Sequence, residues 1–123
     1  MTREHKIPGP DHPITVSPHA GRVTVRVGGT LVADTAAALS LQEADYPAVF
    51  YIPREDVEAS HLERTETETY CPYKGDASYF SVRAADGGLV EDAIWSYEKP
   101  YPEVGQITGH VAFYPQHAVF GED

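Results

Sequence analysis

Any chemistry in this sequence has to come from few residues, and most stand in Thr69-Tyr70-Cys71-Pro72-Tyr73-Lys74-Gly75-Asp76-Ala77-Ser78-Tyr79-Phe80. The stretch holds the only cysteine, three of the eight tyrosines and a lysine. Cys71 is the single candidate catalytic nucleophile. A thiol attacks as thiolate, so it needs a neighbour such as Lys74 or a histidine to lower its pKa. Nothing in the spacing sets His61 or His110 beside it, and a cysteine before proline on a strand is more often a small buried hydrophobe. The inert reading leads. The six histidines, at positions 5, 12, 19, 61, 110 and 117, show no i,i+4 pair, and one cysteine cannot build a zinc signature. No metal and no cofactor are expected. The Gly-x-Ser-x-Gly pattern of a nucleophile elbow is missing too.

The binding candidates are more telling. Nine Lys and Arg stand against 19 Asp and Glu, a net charge of −10. Two of those few cations, Arg54 and Lys74, sit in bends beside tyrosines or prolines. Such a cation is either paired with a carboxylate or open to an anion. For Arg54 the pair, with Glu55, Asp56 or Asp76, is the favoured alternative. Tyr51, Tyr73, Trp95 and Tyr97 suit a sheet, but four phenol or indole groups need polar partners when buried, which favours a partly open aromatic wall. The leading expectation is a small-molecule-binding domain whose aromatic pocket, formed by Tyr51, Tyr73, Trp95 and Tyr97, is flanked by Arg54 and Lys74. It would take a small organic anion, and an enzyme of unknown class is an extension of that reading. The alternative is a protein-interaction or homodimerisation module that presents the same aromatics as a flat surface.

These residues must be held by one domain, since 123 residues bury a single core. With 41% apolar and 23% charged residues, wholesale disorder is excluded. The acidic balance speaks against nucleic-acid partners. No apolar run approaches the ~20 residues of a membrane span, and no apolar segment follows the polar start. A lone cysteine suits a reducing, cytoplasmic setting.

Residues 1–13 read as an extended N-terminal arm and 14–120 as the β domain. Ile14-Thr15-Val16 suits a short edge strand. Val23, Val25 and Val27 alternate with Arg22, Thr24 and Arg26, the clearest strand pattern in the chain. Gly28-Gly29 then signals a tight hairpin, with Thr30–Thr35 returning. Residues 36–43 fit either a short helix or a continuation of that strand. Val49-Phe50-Tyr51-Ile52 is a buried strand between prolines, and Pro53–Glu58 a helical turn led by proline. Glu63–Thr69 alternates charge with threonine, as on a solvated strand face. Pro72–Gly75 turns the chain and holds Tyr73 and Lys74 outward. Asp76–Arg83 follows, with Ser78, Phe80 and Val82 opposite Ala77, Tyr79 and Ser81. Glu91–Lys99 places Ala93, Trp95 and Tyr97 on one face, and Gly109–Tyr114 is the last strand. The fold class is mainly β: about seven short, mostly antiparallel strands with one or two helical turns.

Five segments together resemble the domain-of-unknown-function 427 family. They are Gly29-Thr30-Leu31-Val32-Ala33-Asp34-Thr35, Tyr51-Ile52-Pro53-Arg54-Glu55-Asp56-Val57, Thr69-Tyr70-Cys71-Pro72-Tyr73-Lys74-Gly75, Ala93-Ile94-Trp95-Ser96-Tyr97 and Gly109-His110-Val111-Ala112-Phe113-Tyr114. The resemblance implies a compact β-rich fold and no established activity. The family has carried a nucleotidyltransferase label, but the Gly-Ser followed by paired acids that would hold the metal ions is missing here. The fold it implies is similar in architecture to β-tent domains, either as a tent-like sheet or as an open barrel. Those domains hold zinc through two Cys-x-x-Cys pairs, from which this chain departs.

Overall fold

A computed structural model describes residues 3–122. Among these, ten strands form two antiparallel sheets with a few 3-10 turns, so the mainly β expectation holds. The larger sheet has seven strands. They are β1 (Ile14–Pro18), β4 (Leu39–Glu43), β5 (Val49–Pro53), β6 (Leu62–Cys71), β7 (Gly75–Arg83), β8 (Leu89–Ser96) and β9 (His110–Phe113), in the order β1-β4-β5-β9-β8-β7-β6. The smaller sheet is β2 (Val23–Val27), β3 (Thr30–Thr35) and β10 (Ala118–Glu122), in the order β10-β2-β3. Neither sheet closes into a barrel. No helix among the described residues is long and apolar enough to cross a membrane.

Period-two alternation divides the large sheet into two buried faces. On one face Ile52, Phe80, Val82, Ile94, Val111 and Phe113 join Val23, Val25 and Val27 of the small sheet in the main core. On the other, Tyr51, Ala77, Tyr79, Tyr97 and Ala112 cluster with Leu41, covered by Val104 and Ile107 from a 3-10 segment, Pro102–Ile107. The tyrosines therefore sit on the face opposite the main core, which holds the aliphatic residues and phenylalanines. The hairpin between β2 and β3 turns at Gly28 and Gly29, with φ of 58° and 78°, a left-handed pair open to glycine.

Several expectations are corrected. Ten strands replace the expected seven or so; among them, residues 39–43 form β4 instead of a helix or an extension of β3, and the tail supplies β10. The alanines that favour helix stand before β4, and Ala38 is buried in the main core, where packing overrides propensity. Pro53 precedes the 3-10 turn Arg54–Asp56 as its cap and is not its first residue. Ala93 does not share the face of Trp95 and Tyr97 but lies in the main core. The reason is Asp92, at φ 49°, within a bulge that sets Phe80 opposite Ile94 but Val82 opposite Val90.

The arm lies on its own chain. The Lys6 N–H donates to the Pro72 carbonyl at 2.9 Å, and His5 stacks on Tyr101 with ring centroids 3.6 Å apart.

Candidate functional site

The second face of the large sheet encloses a cavity of about 250 Å³. Its walls are tyrosines brought in register by alternation: Tyr51 from β5, Tyr79 from β7, and Tyr97 and Tyr114 just past the ends of β8 and β9. Trp95 on β8 completes the ring, and Tyr46 with Pro47, from the β4–β5 loop, forms the lip. β4 contributes Leu41 and Glu43, and the β6–β7 turn contributes Lys74.

Polar groups in the wall are ordered by their partners. The Trp95 indole N–H donates to the Tyr51 hydroxyl at 3.3 Å. Tyr114 donates to the Tyr79 hydroxyl at 3.2 Å, and Tyr79 shares a 2.9 Å bond with Thr69 Oγ1. Lys74 is 7% exposed; its ammonium donates to Glu43 Oε1 and lies 3.8 Å from Cys71 Sγ. The other Glu43 oxygen meets His12 Nε2 at 2.8 Å. Burial alone would raise the Glu43 carboxyl, but the hydrogen bonds from Lys74 and His12 outweigh it and hold the group below its ordinary value. Burial pushes the Tyr51 and Tyr97 phenols well above theirs. They keep their protons.

Of the residues singled out in the sequence, Tyr51, Lys74, Trp95 and Tyr97 line this cavity together. Lys74 does not project outward as the turn suggested. It folds back beneath the sheet because Glu43 waits there for its charge. Tyr73 is outside the wall, stacked on His12 of the arm with centroids 4.1 Å apart. Arg54 is also outside. Its guanidinium lies over the Phe80 ring at 4.4 Å, on the main-core face. Among the described residues it makes no ion pair, since Asp76 binds Arg3 and Asp56 accepts from Thr35 Oγ1 at 2.6 Å. Cys71, partly buried, packs against the second cluster and is not part of the cavity wall.

Sequence reasoning overlooked Glu43, Tyr79 and Tyr114 in the wall, and His12 behind Glu43. Tyr79 carried a usable signal, for it alternates with Phe80 on a recognised strand. Glu43 carried none, because only tertiary structure sets it beside Lys74. Among the described residues, no three His, Cys, Asp or Glu side chains stand together as a metal site.

Residues 15–121 match the family model described as "Domain of unknown function (DUF427)". No curated protein matches the chain.

Proposed function

Since this chain belongs to the domain-of-unknown-function 427 family, whose description states no activity, we propose that its function lies in the tyrosine-walled cavity, as a binding site for a small molecule with a flat apolar body. One observation carries the reading. Protein interiors are close-packed, and large rings normally fill the space they enclose. Here four tyrosines and Trp95 surround about 250 Å³ without filling it. Flat walls with a few fixed polar groups are the usual composition of a ligand site.

Both cations of the sequence-based expectation change role in this proposal. Arg54 lies over Phe80 and gives no two-point grip on a carboxylate. Lys74 is the one cation in the wall, and Glu43 already neutralises it. The anion preference therefore drops out, while the aromatic cavity remains. A flat partner surface is less well supported, because Tyr51 and Tyr97 are only 1% and 9% exposed and offer a docking protein little area. The free thiol of Cys71 suits a reducing, cytoplasmic setting, which we keep as part of the proposal.

A thermal-shift screen of single-ring aromatic compounds tests the reading, run on the wild type and on Val49→Phe, since Val49 of β5 also lines the cavity and phenylalanine there would reduce its space. Compounds should raise the wild-type melting temperature by binding the native state, and the rise should vanish in Val49→Phe. A shift that persists in the filled variant places binding elsewhere and overturns the proposal, as does a screen in which nothing shifts.

A further inference from the structure

Two hydroxyl donors in the wall have no acceptor among the described residues, and this, resting on the reading of the cavity as a binding site, narrows what it takes. Tyr97 is 9% exposed, and its hydroxyl bonds to no described residue. No fully enclosed side-chain polar atom among the described residues lacks a partner. The Tyr97 hydroxyl, having none, must therefore keep access to the open space of the cavity. A phenol held this deep usually bonds to the protein, so its O–H stands open to a bound molecule. The Tyr51 hydroxyl accepts from Trp95, yet its own O–H finds no acceptor among the described residues. Lys74 has three N–H donors, of which Glu43 and the Cys71 sulfur engage two.

The charged acceptor on the same wall, Glu43, is already engaged at both oxygens, one by Lys74 and the other by His12. The site thus offers donors in want of an acceptor. Its charge is balanced, since Lys74 and Glu43 cancel within the wall. An incoming carboxylate would meet Glu43 with no spare cation to offset it, in a protein of net charge −10. The volume of about 250 Å³ equals the share of roughly eight water molecules, enough for one small ring system.

We propose that the cavity selects an uncharged planar ring bearing a carbonyl oxygen, which the hydroxyls of Tyr97 and Tyr51 receive as donors beside the Lys74 ammonium. The aromatic walls supply burial for the ring, and the donors choose the oxygen. An apolar ring without that oxygen would leave both hydroxyls unpaired.

Three probes on one ring separate the possibilities: acetophenone with a neutral acceptor, benzoate with an anionic one, and ethylbenzene with none. Trp95 is the only tryptophan, so its indole N–H gives a single NMR signal in the wall with which to follow each titration. Acetophenone should bind roughly three- to tenfold more tightly than ethylbenzene, the size of one net neutral hydrogen bond, with benzoate the weakest. Tyr97→Phe should cancel that advantage, with ethylbenzene binding the variant at least as tightly as the wild type. Its melting temperature should stay near the wild-type value, because the hydroxyl bonds to no described residue. Equal binding of acetophenone and ethylbenzene, or an advantage that survives Tyr97→Phe, overturns the donor assignment while the cavity stands as a binding site. Benzoate binding tightest overturns the uncharged class. If none of the three moves the Trp95 signal, this inference and the binding-site reading fall together.

Discussion

The Lys74 ammonium, in the turn between β6 and β7, pairs with the Glu43 carboxylate at the end of β4, 31 residues earlier. Three strands, β5, β9 and β8, separate β4 from β7 in the sheet order. A flat sheet would hold the two side chains far apart at about 4.8 Å per strand. Their contact shows that the large sheet curls, as twisted sheets with bulges do. The concave side of that curl is the tyrosine-walled cavity.

Breaking this pair should destabilise the fold. Lys74 is 7% exposed, so Lys74→Met leaves Glu43 half-buried with only His12 for a partner. The expected loss is about 3 kcal/mol, the scale for removing one member of a buried pair. Urea unfolding of Lys74→Met, of Glu43→Leu and of the double variant checks it. The double variant should lose less than the two single losses added together; strict additivity would show that the pair contributes nothing.

Acid should weaken the protein through two named carboxylates. The Arg64 hydrogen bond, helped by Ser78, brings Glu98 down to about 2, and Glu43 is held low by Lys74 and His12 against its burial. Both folded values lie below the ordinary 4.5. Their contribution is therefore complete above that value and disappears as pH falls through the folded ones. Denaturation midpoints should be flat above 4.5 in this respect and decline toward pH 2. Glu98→Gln should show a shallower decline over the same window.

Arg54 should matter to the fold and not to the cavity. Arg54→Ala removes a cation resting 4.4 Å from the Phe80 ring centre, an exposed contact of about 0.5–1 kcal/mol. Chemical denaturation should register that small loss, while titrations of the Trp95 indole signal stay as in the wild type. A changed ligand response in this variant would return Arg54 to the site.

Asp92 combines a left-handed backbone, φ 49°, with a carboxylate that receives Thr65 and Thr67 hydroxyls at 2.7 Å each. Asp92→Ala loses both charged hydrogen bonds and keeps the unfavourable φ, so about 2–3 kcal/mol of stability should go. Asp92→Asn tolerates the backbone and keeps one acceptor oxygen, so it should lose clearly less. Equal losses for the two variants would show that neither the backbone nor the retained acceptor oxygen, but the charge of the carboxylate, sets the requirement.

Much of the fold was legible because its signals are local. Val23, Val25 and Val27 alternate, Gly28-Gly29 takes the positive φ that a tight hairpin needs, and prolines bracket Val49–Ile52. The same alternation separated Tyr79 from Phe80 correctly onto two faces, one of the tyrosine cluster and one of the main core. It failed at Ala93, where one residue with positive φ shifts the period and no composition signal marks the change.

The site divides in the same way. Sequence alone determined that Tyr51, Trp95 and Tyr97 belong to strands or their ends, and that Lys74 stands in a sharp turn, since each statement concerns neighbours along the chain. Which face each side chain takes, and what meets it there, was decided by the curl of the sheet. Arg54 and Lys74 look alike in the sequence, each a cation in a bend near tyrosine. Arg54 emerges over Phe80 on the main-core face, and Lys74 is drawn under the sheet by a carboxylate 31 residues away. Charge pairing of that kind depends on distance in space, which a linear pattern does not encode until the strands have been set in order.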